Sequence, residues 1–225
     1  MNSASVTLQE PQARRGRARS EMTAETRAKL LALAREMFGT KGFADTSMDE
    51  LTAAASLTRG ALYHHFDSKT GLFKAVVDQI DHELDEFLTL RLKRLGPAID
   101  DGWSVIRLSC RCYLEMVLEP GVQRILLKDA PNAYPDFETR PVRLHCLNST
   151  REVFGDLLID GKSDPGAASA ATQMLVGAMG SLAQWASDPA NGPDRLAMAE
   201  YLLDGLLSGL RNQLSFRADS GEAGR

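Results

Sequence analysis

The chain has 225 residues, 44% hydrophobic and 25% charged, which excludes a disordered or fibrous polymer and suits one large domain or a small domain attached to a mid-sized one. The net charge of −4 hides a division: residues 1–74 hold 11 Lys/Arg against 8 Asp/Glu (+3), and the rest 15 against 22 (−7). The split suggests a basic front on an acidic body, of which only the front need meet phosphates.

No run of eighteen apolar residues occurs, and the first twenty residues carry Arg14, Arg15, Arg17 and Arg19 without an apolar stretch. The expectation is a cytoplasmic protein with no membrane span and no secretory signal. Cys110, Cys112 and Cys146 are an odd count, so a disulfide framework is not expected. Cys110 and Cys112 lie roughly 200° apart on a helix and cannot share one metal. They read as buried apolar cysteines, with a redox-sensing thiol as the alternative.

In chain order, residues 1–20 lack periodicity and read as a flexible basic arm. From Thr23 the pattern is helical, with Leu30, Leu33, Ala34, Met37 and Phe38 on one stripe. Gly42 suits the left-handed position that ends such a helix, and Phe43 would tuck back as an apolar plug. Ser47 followed by Glu50 has the form of a capping box for a short helix from Met48 to about Ala55, with Met48, Leu51 and Ala54/Ala55 inward. After a break at Ser56-Leu57, Thr58 can cap a third helix ending near His65 or Phe66. Asp67 and Ser68 offer caps for a long fourth helix, whose stripe of Leu72, Phe73, Val76, Val77, Ile80, Leu84 and Phe87 extends to about Leu95. Helices are placed near 98–118, 121–130, 135–159, 166–187 and 194–215, separated by Pro- and Gly-bearing breaks. No alternating strand pattern competes, so the fold class is all-α. The expected domains are 21–74, a three-helix DNA-binding unit; 75–216, a larger helical bundle reached through the long helix; and 217–225, a disordered tail.

Two short helices joined by a three- to four-residue turn and buttressed by a preceding helix describe a helix-turn-helix. Ala53, Ala54 and Ala55 supply small residues for the crossing. On the second helix of the pair Leu57, Ala61, Leu62 and Phe66 can face inward, leaving Thr58, Arg59, Gly60, Tyr63 and His64 toward a DNA groove. Arg59 can meet guanine O6 and N7 or clamp a phosphate. Gly60 lets the backbone approach closely. Tyr63 and His64 can reach phosphate oxygens or a thymine methyl, and Thr46, Ser47 and Lys69 flank the same face.

These residues carry a resemblance. Arg27-Ala28-Lys29-Leu30-Leu31, Met37-Phe38-Gly39-Thr40-Lys41-Gly42-Phe43, Thr46-Ser47-Met48-Asp49-Glu50-Leu51, Thr58 through Phe66, Ser68-Lys69 and Leu72-Phe73 resemble the DNA-binding domain of the TetR family of transcription regulators. The family usually has glycine at the inter-helix turn, where this chain has Ser56; a left-handed conformation there costs a non-glycine residue on the order of 1 kcal/mol. The resemblance implies a homodimeric regulator of double-stranded operator DNA, most often a repressor, that an unknown small-molecule effector releases. It places dimerisation on the helices near 166–187 and 194–215, where small residues (Ala167, Ala168, Ala170, Ala171, Gly177, Ala178, Gly180) and the leucines 202, 203, 206, 207 and 210 fit an intersubunit four-helix bundle. It also implies a ligand chamber, for which Trp103, Cys110, Tyr113, Met116, Phe137, His145, Met174 and Trp185 are candidates. The rival expectation is a DNA-tethered adaptor that recruits a protein partner and has no inducer. The four arginines of the arm would either stay solvated or order in a minor groove.

No enzyme is expected and no cofactor. Gly161-Lys162-Ser163 approaches a phosphate-binding loop, but five residues intervene between Gly155 and Gly161 where the loop has four, and no strand precedes it. His145 and Cys146 diverge by about 100° on a helix with Pro141 and Ser149 at the supporting positions, so no metal site is expected.

Overall fold

The computed structural model describes residues 10–96, 101–157 and 165–220, and every element in them is helical. The chain divides into two compact units, residues 1–76 and 77–225.

In the first unit, α1 (Glu10–Thr40) is longer than expected. The flexible arm assigned to residues 1–20 is corrected from Glu10 onward, where the backbone is already helical. Arg, Ala and Gln are good helix formers, and Pro11 sits in the first turn, where its missing N–H breaks no hydrogen bond. The arm residues 1–9 and the side chains of Arg14, Arg15, Arg17 and Arg19 lie outside the described residues. Gly42 ends the helix with φ 91°, and Phe43 folds back to within 5.9 Å of the Phe38 ring and 4.9 Å of the Phe73 ring. Phe38 and Phe73, both fully buried, meet edge to face at 5.1 Å.

Helix α2 (Met48–Ala55) and helix α3 (Arg59–His65) follow with the expected caps: the Ser47 hydroxyl accepts from Asp49 N–H at 3.1 Å, and the Thr58 hydroxyl from Ala61 N–H at 3.2 Å. The inward set needs one correction. Ala53 and Ala54 are exposed, and the crossing is filled by Leu51, Thr52 and Ala55. An eight-residue helix offers only one narrow inward stripe, and 51, 52 and 55 are its positions. Leu62 is fully buried and Phe66 nearly so. Such burial is worth about 1.5–3 kcal/mol per side chain, so Leu62 fixes which face of α3 turns outward.

Helix α4 (Lys69–Leu95) is entered through Ser68, whose hydroxyl accepts from Gly71 N–H at 3.0 Å, and the division into units falls within it, after Val76. In the second unit α5 (Gly102–Val117) begins on the Asp101 cap. An unbroken run follows through α6 (Pro120–Gln123), a π-helical stretch (Arg124–Asp129) and α7 (Ala130–Ala133). The single helix expected over 121–130 is therefore replaced by a run with a wider turn in its middle. A 3₁₀ turn at Phe137–Thr139 leads into α8 (Pro141–Leu157), then α9 (Pro165–Ala186) and α10 (Arg195–Ser220). The tail assigned to 217–225 is likewise corrected as far as Ser220, which is still helical; residues 221–225 lie outside the described residues, as does the Gly161-Lys162-Ser163 loop.

The core of this unit is built from Ile106, Leu114 and Val117 of α5, Phe154 of α8, Leu175 and Met179 of α9, and Leu203 and Leu207 of α10. Ion pairs register its helices. Arg91 of α4 grips Glu115 of α5 through two hydrogen bonds of 3.0 and 2.7 Å, and Arg107 and Arg111 of α5 face Asp204 and Glu200 of α10. The most buried pair is Asp81 of α4 with Arg140. Nε and one Nη of Arg140 donate to the two carboxylate oxygens at 2.6 and 3.1 Å, and the other Nη donates to the Phe137 carbonyl at 2.9 Å.

Candidate nucleic-acid interface

The interface is made by the turn between α2 and α3. Ser56 takes φ 57° and ψ 41°, left-handed as expected at this position, and its N–H reaches back to the Ala53 carbonyl at 3.1 Å. From α1, Lys29 Nζ donates to the Ala55 carbonyl at 2.9 Å and so caps the same end of α2. The turn is thus held from both sides, and α3 leaves it with Leu62 inward.

Thr58, Arg59, Gly60, Tyr63 and His64 are all exposed on α3, as expected. Tyr63 keeps 48% of its surface, large for an aromatic side chain without a reason to be wet. A Cβ added to Gly60 would meet nothing nearer than the Thr58 hydroxyl at 3.9 Å, so the fold itself does not require glycine there. Arg59 is engaged: its Nε and Nη2 donate to the two carboxylate oxygens of Asp49 at the start of α2, which holds the guanidinium still more firmly in its charged form. The sequence reading missed this partner, which stands ten residues away on another helix; an acidic residue in the first turn of α2 was the available signal.

One flanking candidate, Thr46, is corrected. Thr46 is 1% exposed and its hydroxyl donates to the Gly42 carbonyl at 2.8 Å, so it shapes the loop and cannot reach DNA as placed. Lys69 donates to the Ala44 carbonyl at 3.0 Å and lies over the Phe43 ring at 4.6 Å, fastening the same loop. Ser47 is half-buried and capping. Lys41 pairs with Glu50 at 2.9 Å, and this pairing together with the Ser47 N–H holds the Glu50 carboxyl below its ordinary range.

The ligand candidates differ in burial. Trp103 lines a partly open cleft of about 320 Å³ between α5 and α10 with Arg107, Leu207, Ser208, Arg211 and Asn212. Cys110 and Phe137 are buried and Met116 half-buried, while burial raises the Tyr113 hydroxyl above its ordinary range. His145 and Met174 are exposed, on α8 and α9, because each sits on the outer stripe of its helix. Trp185 lines a shallow groove with Gly180, Ser181, Gln184, Asp188 and Asn191. Burial pushes the Cys110 thiol up to about 12 with the nearby Cys146 adding to the effect, so it is no nucleophile at neutral pH. Cys112 is also buried; Cys146 is exposed as a residue, although desolvation raises its thiol too. Among the described residues no group of three or more His, Cys, Asp or Glu side chains could hold a metal ion.

A capped pair of short helices around a left-handed turn, with a polar face on the second, defines a helix-turn-helix DNA-binding protein. The family model for bacterial regulatory proteins of the tetR family matches residues 30–76, and the model for the tetracyclin repressor-like C-terminal domain matches residues 103–210. A TetR-family transcriptional regulator of Pectobacterium atrosepticum, known from its crystal structure, is 44% identical; the match covers 84% of this chain and 96% of that one, with a TM-score of 0.65. The regulator TtgR of Pseudomonas putida is 31% identical over 105 residues, 47% of this chain and 49% of that one. The chain spans about half the length of the curated relatives it matches. The fold is also that of AibR in complex with isovaleryl coenzyme A and operator DNA, at 18% identity over 81% and 98% of the two chains and a TM-score of 0.59. This chain belongs to the TetR family of DNA-binding transcription regulators. Among the described residues no helix is long and apolar enough to cross a membrane.

Proposed function

We propose that the protein is a homodimeric repressor of the cytoplasm: α3 reads a double-stranded operator, and a small molecule bound in the unit of residues 77–225 releases it. The observation that carries the reading is the exposed face of Thr58, Arg59, Gly60, Tyr63 and His64, held outward by buried Leu62. The open space at Gly60 supports close approach of a phosphate backbone.

Dimerisation is supported by an apolar face on α9 and α10. Met174 (49% exposed), Gly177, Ser181 and Trp185 recur at helical spacing on α9, and Met198, Tyr201, Leu202, Gly205 and Gly209 on α10. Of the expected leucines, Leu203, Leu207 and Leu210 turn into the unit's own core, Leu206 is half-buried, and Leu202 is left for a partner. A contiguous exposed apolar face of this kind marks an interface, and a two-fold axis would set two α3 helices one DNA turn apart.

For the effector, the cleft beside Trp103 supports a small molecule over the rival adaptor role, and the fold is one in which AibR holds an acyl coenzyme A together with operator DNA. A ligand need favour the released state by only about 1.4 kcal/mol to lower operator affinity tenfold. Helix α4, continuous across the unit boundary, is the element through which such a preference would act.

The test is fluorescence anisotropy on DNA flanking the protein's own gene, across a range of salt, with Arg59→Ala and Tyr63→Ala beside the wild type. Both variants should keep their helical content and lose specific binding. Wild-type protein that binds no DNA at any salt refutes the reading.

A further inference from the structure

Arginine carries five N–H donors, arranged as two usable edges of its planar fork. In Arg59 the edge formed by Nε and Nη2 is taken by both carboxylate oxygens of Asp49. That leaves the end-on edge, one hydrogen of Nη1 and the second of Nη2. Two acceptors side by side, such as guanine O6 and N7, are what this edge fits. Both residues are exposed, with 69% and 57% of their side-chain surface accessible, so nothing in the protein's own packing requires the pair. Asp49 also stands in the first turn of α2, where its N–H is fixed by the Ser47 hydroxyl, so the carboxylate is presented from a capped helix rather than a loop.

We propose that Asp49 is a positioning residue for base reading: it buttresses Arg59 along one edge and aims the other at a guanine. The inference rests on the assignment of α3 as the reading helix. An Arg on a flexible stem meets a phosphate as readily as a base edge, because a phosphate also offers paired oxygens. With a carboxylate on the side-on edge, the guanidinium is held in one orientation, and its end-on edge can meet paired acceptors only where it points instead of wherever a phosphate lies within reach. The buttress therefore raises discrimination more than affinity. The pair is exposed, so its effect is modest, about fivefold in a binding ratio.

The probe is a duplex selected by the full-length wild-type protein from a randomised pool, together with its set of single base-pair substitutions. Anisotropy titrations compare wild type, Asp49→Asn, Arg59→Ala, the double variant and Glu50→Gln. Glu50→Gln removes the same charge one residue away, from a carboxylate paired with Lys41 instead. Circular dichroism confirms that each variant is folded. The expected result is that Asp49→Asn lowers discrimination about fivefold at the one base pair that Arg59→Ala also affects, and binds unrelated DNA more tightly. In the Arg59→Ala background Asp49→Asn should change discrimination no further, and Glu50→Gln should tighten all duplexes alike. Asp49→Asn with undiminished discrimination, or an equal loss in Glu50→Gln, overturns the proposal while leaving α3 as the reading helix. A wild type that selects no sequence overturns both.

Discussion

Removing one partner of the buried Asp81–Arg140 pair is a severe perturbation of the second unit. Asp81 is 3% exposed and Arg140 8%, and the carboxylate takes two of the guanidinium's donors while the Phe137 carbonyl takes a third. The Arg140 guanidinium also lies 4.1 Å from the centroid of the Phe137 ring. In Asp81→Leu the cation keeps one carbonyl and one ring face and loses its only ionic partner among these contacts. Stranding a buried charge costs about 3–5 kcal/mol. At this chain length each kcal/mol moves the melting midpoint by about 2–4 °C, so the expected fall is roughly 6–20 °C. The double variant Asp81→Leu/Arg140→Met removes both charges and both desolvation penalties and should return to within about 1 kcal/mol of wild type or exceed it. Urea denaturation followed by circular dichroism, at one protein concentration because a dimer's midpoint depends on it, gives all four corners of the cycle. A single variant that loses under about 1 kcal/mol, or a double variant that falls by the sum of the singles, refutes the reasoning.

Ser56→Gly should stabilise the first unit by about 0.5 kcal/mol, since relief of a left-handed residue (about 1–2 kcal/mol) is partly offset by the freedom glycine adds to the unfolded chain; a urea midpoint below wild type would contradict this. Asp101 caps α5 by accepting from Ser104 N–H at 2.7 Å, which holds its carboxyl below the ordinary range. Its contribution, about 1 kcal/mol against Asp101→Ala, is present above the unfolded carboxylate pKa of about 4 and lost as pH falls through the lower folded value. The two stabilities should therefore differ at neutral pH and converge in acid, and a constant difference down to low pH would be the failing result. Tyr201→Asp, on the 73% exposed position of the α10 face, should sediment as a monomer where wild type sediments as a dimer; an unchanged dimer would place the interface elsewhere.

The first unit was legible in the sequence because local chemistry determines it. Ser47, Thr58 and Ser68 each cap the helix they precede, Gly42 turns left-handed, and Ser56 occupies the one position among the described non-glycine residues with positive φ. The outward face of α3 followed from helical period alone. What escaped was set by contacts distant in sequence. Thr46 reads as a surface threonine until the Gly42 carbonyl is seen above it, and nothing in the sequence joins Lys69 to the Ala44 carbonyl 25 residues earlier. Asp81 sits four residues after Val77, on the apolar stripe itself, which was a signal of burial; its partner lies 59 residues on, where no periodicity points. The ligand candidates were chosen by residue type, and type says little about which side of α8 or α9 faces inward.

A π turn holds one residue more than an α-helix of the same length. Between α6 and α7 that surplus allows Ile125, Leu126 and Ala130 all to reach the interior while Lys128 points to solvent. Lys128 should accordingly accept almost any substitution. Taking one residue out of Arg124–Asp129 would let the stretch relax to an ordinary helix with little change of phase, because the π turn takes up its surplus residue within nearly the same rotation. Ala130, and Phe137 and Arg140 beyond it, would keep their facing toward the interior. The surplus is absorbed where it stands, so this stretch should tolerate a change of count as well as of spelling.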